Sequence, residues 1–294
     1  MKKFYVTTPL YYVNAKPHLG TLYSTLLADV AARWHRFSGD EVFFLTGTDE
    51  HGQKIADQAA SHQMQPKAFV DSMIPAFKEA WERYAISYDF FIRTTDAAHK
   101  QAVTRWIEQL QAQGDIYKAV YEGLYCTPCE TFVTAEQAIE VEGQSCCPSC
   151  HRGLAKIAEE NYFFRLSAYQ DRLLTFYQEN PDFIMPKERT NEILSFVRGG
   201  LRDLSISRRS VEWGIPFPGD PNHTVYVWGD ALMNYVSALG FLQRGSKHSD
   251  KFSTFWPADL QVMAKDIVKF HGVYFPAFLM AAGVKPAKQL LVHG

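Results

Sequence analysis

All five cysteines of the 294-residue chain lie between Cys126 and Cys150, and four of them form two CxxC turns, Cys126-Thr-Pro-Cys129 and Cys147-Pro-Ser-Cys150, separated by 17 residues. Each such turn can present two thiolates to one ion, and the spacing is that of a tetrahedral zinc ribbon or knuckle. Four thiolates close the coordination sphere, so the expected role is structural. Cys146 is the surplus thiol, because the residue three positions on is Ser149, and His151 is a weaker substitute ligand. Clustered cysteines of this kind point to a metal in a reducing compartment, not to disulfides between distant parts of a secreted chain.

This cluster interrupts a different pattern. Lys3–Thr8 carries the β-branched and aromatic residues of a buried strand that breaks at Pro9, and residues 18–37 then place Leu19, Leu22, Tyr23, Leu26, Leu27, Val30 and Trp34 at helical spacing. A second strand, Glu41–Gly47, runs into Thr48-Asp-Glu-His-Gly52 and further helix. Helices at about 66–84 and 96–113 flank a strand at 88–93. Strand, helix, strand, helix is the rhythm of a parallel α/β sheet. The rhythm stops at Asp115, where Ile116–Tyr125 reads as short antiparallel strands around Glu122-Gly123, with a return hairpin through 161–165. Helices follow at 167–180 and 187–198, then a strand at 204–208. From His223 the pattern resumes: strand 224–228, helix 230–241, strand 260–264, helix 267–282, strand 289–293. The expected organisation is therefore 1–114 as the first half of a Rossmann-like catalytic domain, 115–205 as a zinc-binding connective insertion, and 206–294 as the second half.

The turn between the first strand and the helix near His18 delivers polar groups to a helix N-terminus, a ready-made anion site. The formal charge of -2 gives no electrostatic footprint for nucleic acid, which argues against a purely RNA-binding module. No apolar run reaches the roughly 20 residues of a membrane helix, and Met1-Lys2-Lys3 leads into a strand, so the chain is expected in the cytoplasm with no membrane partner.

Several motifs in order, Tyr11-Tyr-Val-Asn14 with His18-Leu-Gly20, Thr46-Gly-Thr-Asp-Glu-His-Gly52, the cysteine insertion, Ser205-Ile-Ser-Arg208, Tyr226-Val-Trp228, Lys265-Asp-Ile267 and Phe270-His271, resemble the bacterial methionyl-tRNA synthetases of class I. The resemblance covers essentially the whole chain. It implies activation of methionine by ATP, with Mg2+, to methionyl-adenylate, and transfer to tRNA. Residue by residue, it implies that Asp49 takes the substrate ammonium and that Tyr12, Trp228, Tyr235, Phe270 and His271 surround the thioether. It further implies that His18 and Gly20 face the ATP phosphates and adenine, with Thr21 at the catalytic position next to them, that Asp266 meets the ribose, and that Arg208 lies near Asp49 at the activation site. Cys126, Cys129, Cys147 and Cys150 are the implied zinc ligands.

The chain departs from the family pattern at Thr21, where a second histidine is usual, and at Gly229, where a large apolar residue would pack beside the pocket. Gln261 and Ala264 replace a common histidine and glycine. The Lys-Met-Ser-Lys-Ser motif and the helical anticodon-reading domain lie, in the family, beyond the position matching Gly294, so the end looks like a cut. The expectations are thus a catalytic segment with weak or absent tRNA binding, or a truncated paralogue repurposed for another amino acid or acceptor or kept as a methionine-binding or regulatory protein.

Overall fold

The computed structural model describes residues 1–294 except 130, 134, 136, 142 and 243–248. Its first third alternates as expected: β1 (Lys3–Tyr12), α1 (Leu19–Phe37), β2 (Glu41–Asp49), α2 (Gln53–Ser61), α3 (Pro66–Arg83), β3 (Phe90–Arg93) and α4 (Ala97–Gln113). Pro9 does not end the first strand. The register between β1 and β2 shifts between Thr7 and Leu10, and pairing then continues to Tyr12 opposite Asp49. A proline has no amide hydrogen to give a ladder, so it is accommodated at the irregularity.

The antiparallel body is built on β4 (Ile116–Cys126), with β5 (Thr131–Val133), β6 (Ile139–Val141), β7 (Gln144–Cys146) and β8 (Ala155–Phe164). No turn occurs at Glu122-Gly123. β4 is one 11-residue strand, because β8 pairs with it continuously from Ile116 opposite Phe164 to Tyr125 opposite Ala155. Then come α5 (Gln170–Glu179), β9 (Ile184–Met185) and α6 (Lys187–Arg198). Two-residue β9 returns to the main sheet beside the last strand, so residues 166–205 are shared between the antiparallel body and the parallel one.

The expected strand at 204–208 is split. β10 (Leu204–Ser205) pairs with β8, and β11 (Ser207–Arg208) turns to pair with a later strand, Ser207 opposite Val225. Together with β12 (Pro216–Phe217), β13 (Asp220–Val225) forms a small antiparallel sheet, so the α/β rhythm has not yet resumed. Nor does that strand reach Trp228. Tyr226 donates its N–H to Ile206 O at 2.8 Å, and its carbonyl accepts from Asp230 N at 3.1 Å, which opens α7 (Val227–Leu232). The helix expected over 230–241 is likewise broken into α7 and α8 (Asn234–Ser237).

After α9 (Ser249–Phe255), β14 (Leu260–Ala264) resumes the parallel pattern, and β15 (Leu290–His293) follows α10 (Phe275–Ala281). The stretch between β14 and α10 is a 3-10 turn, Lys265–Ile267, and a π-helical turn, Phe270–Tyr274. Pro276 explains the irregularity. It cannot donate to the carbonyl four residues back, and the Tyr177 hydroxyl takes that Gly272 carbonyl at 2.5 Å.

The six parallel strands run in the order β3-β2-β1-β14-β15-β9. β1 alternates its side chains between two cores: Tyr5 joins Phe43, Trp106, Met263 and Phe278 on one face, while Phe4 and Val6 join Phe44, Phe77 and Trp81 on the other. Burial on both faces is why these strands read as nearly continuous apolar runs. At Gly47 a Cβ would fall 2.0 Å from the Ile92 carbonyl oxygen, so the close pairing of β2 with β3 requires glycine there. Strand order reverses at β1, whose neighbours are β2 and β14, and that switch point places a crevice at the carboxyl ends of β1 and β14. Among the described residues no helix is long and apolar enough to cross a membrane.

Candidate active site

The first wall of the crevice is the N-terminus of α1. His18 is its N-cap, in extended backbone conformation. Its Nδ1 accepts from Gly20 N at 3.0 Å, which leaves the ring proton on Nε2, free to donate outward. Gly20 leaves room for this fold-back, since a Cβ there would crowd His18 Cε1 at 3.0 Å and the ring would have to give way. Thr21 closes a capping box: its Oγ1 accepts from His18 N at 2.7 Å and donates to His18 O at 2.6 Å. The hydroxyl that stands where a second histidine was looked for thus holds the first histidine in place. His18, Gly20, Thr21, Ala264 and Asp266 line one cavity of about 430 Å³. His293, which meets Ser24 Oγ at 2.7 Å, and Lys16 line it too. Neither had a signal in the sequence beyond its position near a strand or helix end.

A second cavity, of about 340 Å³, lies beside it and is lined by Tyr12, Asp49, Trp228, Tyr235 and His271. Pro9, Leu10, Tyr12, Asn14 and Ile267 line both cavities, so the two share a wall formed by the irregular end of β1 and the turn after β14. Asp49 ends β2 and is 8% exposed. Phe270 stands behind Trp228, stacked at 3.6 Å and 11°. His271 Nδ1 lies 3.0 Å from Ile267 O and Nε2 lies 2.8 Å from the Tyr235 hydroxyl. Burial pushes the His271 pKa down to about 4, against the opposing pull of the Ile267 carbonyl. The ring is neutral at pH 7; Nδ1 donates to Ile267, and Tyr235 donates to Nε2. An aromatic pocket with one carboxylate, Asp49, and one ammonium, Lys54, in its lining suits a substrate with an apolar side chain and a head that carries both charges. Lys54 was missed by the sequence reading.

Arg208 lines neither cavity. Its guanidinium lies 4.1 Å from the Tyr226 ring centroid and donates to Ser205 Oγ at 2.9 Å and Ser207 O at 2.7 Å. With His51, Gly52 and Trp213 it borders a small void behind the turn that follows Asp49. Gly229 also departs from expectation. A Cβ there would meet Trp106 at 3.6 Å and Val225 at 3.7 Å, so its side faces an interior already filled by Trp106 and does not widen the pocket. Gln261 is buried within β14.

The four cysteines Cys126, Cys129, Cys147 and Cys150 converge, with all sulfurs within 4.8 Å of one another. Cys126 and Cys150 are 3.4 Å apart, and Cys129 and Cys147 are 3.9 Å apart. A tetrahedral site with metal–sulfur bonds of about 2.3 Å has sulfur–sulfur edges of about 3.8 Å, so the arrangement fits one ion. Backbone N–H groups of Ser149 and Cys150 point at the Cys147 sulfur, the kind of support a thiolate needs. Cys146 is buried outside the cluster, and His151 is not among its members. Cys129 also borders the amino-acid-sized cavity.

The model for tRNA synthetases class I (M) matches residues 4–294. The methionine–tRNA ligase of Thermotoga maritima is 47% identical over 292 residues, covering 99% of this chain and 46% of that protein. That of Caldanaerobacter subterraneus subsp. tengcongensis is 49% identical, covering 100% and 45%. The chain thus spans about half the length of the curated relatives it matches. The Mycobacterium tuberculosis methionyl-tRNA synthetase in complex with methionyl-adenylate superposes with a TM-score of 0.95 at 44% identity, covering 100% of this chain and 57% of that one. The apo form of the same enzyme gives 0.86 at 42%, covering 100% and 56%.

The state of His271 has a measurable consequence. The unfolded imidazole takes a proton near pH 6.5 and the folded one only near pH 4, so the unfolded state binds more protons between these values and stability falls as pH drops through that window. Chemical denaturation at pH 7 and pH 4.5 should show a loss about 2–3 kcal/mol larger in the wild type than in His271→Leu. Equal losses would contradict a buried neutral His271.

Proposed function

The chain belongs to the class I tRNA synthetases of the methionyl group, and from that premise we propose that it carries the site at which methionine is activated by ATP for transfer to tRNA. The observation that carries this reading is the shared wall between the two cavities. Adenylation needs the amino-acid carboxylate within bonding reach of the ATP α-phosphorus, and adjacent cavities supply that proximity. Methionine sits with its ammonium at Asp49 and its thioether against Trp228, Tyr235 and His271, with Phe270 bracing Trp228. Sulfur–aromatic contacts contribute about 0.3–1.5 kcal/mol each. ATP lies along His18 and Gly20, with the ribose at Asp266.

A methionine carboxylate oxygen attacks the α-phosphorus, the bond to the bridging oxygen breaks, and pyrophosphate leaves with that electron pair. His18 Nε2–H and the amide-rich start of α1 stabilise the charge gathered on phosphate oxygens. Mg2+ accompanying ATP shares that charge. The TM-score of 0.95 with the adenylate-bound relative, against 0.86 with its free form, supports an overall arrangement nearer the adenylate-bound one. Arg208, behind the Asp49 turn, acts on the activation site through that turn.

Zinc is the metal the four thiolates suit, and when bound it ties the two CxxC turns together beside the amino-acid cavity. The boundaries 1–114, 115–205 and 206–294 remain our division of the chain into catalytic halves and connective insertion, with β9 reaching back to the sheet. The reading places the protein in the cytoplasm, with tRNA held weakly or not at all by this stretch.

Two measurements test it. Protein kept reduced should contain one zinc per chain, and well below one would remove the metal assignment. Amino-acid-dependent ATP–pyrophosphate exchange, scanned over all amino acids, should respond to methionine alone. A response to another amino acid instead would favour a repurposed paralogue, and no response together with no methionine binding by calorimetry would refute activation altogether.

A further inference from the structure

Beneath the amino-acid cavity lies a chain of buried polar side chains that the reaction itself does not use. Asp230, on α7, is 1% exposed and bonds two histidines at once: His51 Nδ1 at 2.6 Å to Oδ2 and His99 Nε2 at 2.7 Å to Oδ1. The other nitrogen of His99, on α4, meets Ser237 Oγ of α8 at 2.7 Å. His51 and His99 are 3% and 1% exposed. None of these four residues lines either cavity.

Three of the four members are attached to a wall of the amino-acid cavity. His51 lies two residues after Asp49, and its carbonyl accepts from the Tyr12 hydroxyl at 2.8 Å. Its ring packs edge-on to Trp213, 5.3 Å between centroids. Asp230 lies two residues after Trp228 and one before Ala231, which also faces the cavity. Ser237 anchors α8 two residues after Tyr235. The carboxylate therefore joins the end of β2, which carries the ammonium partner, to α7 and α8, which carry the aromatic wall, with α4 as the fixed post. Burial works against the charge on Asp230, and the His51 and His99 bonds hold its carboxyl below the usual range all the same. A carboxylate buried and ionised in this way fixes the geometry of its partners, because any displacement leaves it unpaired.

We propose that His51, Asp230, His99 and Ser237 form a clamp of positioning residues that sets the distance between Asp49 and the Trp228–Tyr235 wall, and so governs affinity for the amino acid without acting on ATP. The inference rests on the functional reading above. The nucleotide-side cavity is built chiefly on α1, the end of β1 and the turn after β14, none of which bears a member of the clamp. Tyr12, which lines both cavities, gives its hydroxyl to the His51 carbonyl, but Asp49 and the Trp228–Tyr235 wall face the amino-acid cavity alone, so methionine responds more than ATP when the clamp is loosened.

The test is calorimetric binding of L-methionine and, separately, of a non-hydrolysable ATP analogue to the whole chain. The wild type is compared with His99→Leu, His99→Gln and Ser237→Ala. His99→Leu should weaken methionine about 10- to 100-fold, as displacement of a positioned group does, with the ATP analogue changed less than about twofold. His99→Gln keeps an N–H donor where Nε2 stands and should restore most of the methionine affinity. Should His99→Leu fail to fold, Ser237→Ala, which removes only the outermost link, should still weaken methionine selectively. Unchanged methionine affinity in a folded His99→Leu or Ser237→Ala variant would overturn the clamp, as would parallel weakening of both ligands. A wild type that binds no methionine fails differently: it overturns the activation reading and the clamp's role with it.

Discussion

The site depends on how briefly β1 pairs with β14. The two strands are in register only at Val6 with Leu260 and Thr7 with Gln261. Beyond Thr7, β1 shifts register against β2 and continues to Tyr12, while the strand on its other side ends at Ala264 and turns through Lys265–Ile267. The sheet therefore opens at its carboxyl edge along the line where strand order reverses. Both cavities are consequences of that opening, and their shared wall is made of residues from the two parting strands: Pro9, Leu10 and Tyr12 from one side and Ile267 from the other.

What fills the opening comes from elements that are themselves irregular. The nucleotide-side wall is a helix start whose cap folds a histidine over a glycine. The amino-acid side is a short helix begun at Tyr226 and a π turn forced by Pro276. The π turn presents Phe270 and His271, consecutive residues, to stack on Trp228 and to bond Tyr235. A regular helix in either place would satisfy its own backbone with fewer outside partners, but here Ile206 and Tyr177 supply those partners from the antiparallel body and from α5. The antiparallel body and α5 thus help to hold the pocket's wall in place.

The parallel frame was legible in the sequence because strands buried on both faces leave apolar runs, and because α1, α3 and α4 carry long periodic patterns with clear ends. The cysteine turns were legible from spacing alone. Residues 226–228, where the expected strand runs on past Val225, were not. Their alternation of valine, tyrosine and tryptophan has strand character, and only the bond from Tyr226 N to Ile206 O, across twenty residues, decides that the chain bends into a helix at Val227. β9 escaped notice because two residues between helices carry no periodicity, and the split at Ile206 because both halves are extended and differ only in partner. At the site, the family resemblance named the lining residues, and the structure brings Tyr12, Asp49, Trp228, Tyr235 and His271 together while setting Arg208 behind them. His99 had no signal: a single histidine in an amphipathic helix is indistinguishable from a packed core residue until Asp230 is seen against it. Thr21 reads differently once its hydroxyl is seen to close the cap, since the residue that departs from the family pattern also holds His18 ready.

The central claim is that the two cavities act as one site across a common wall. Its most direct test is competition with a non-hydrolysable methionyl-adenylate analogue, which spans both. The account predicts that one equivalent of the analogue displaces methionine and an ATP analogue together from the purified chain, and binds more tightly than either. Displacement of only one of them, or simultaneous binding of the adenylate analogue with either ligand, would contradict it.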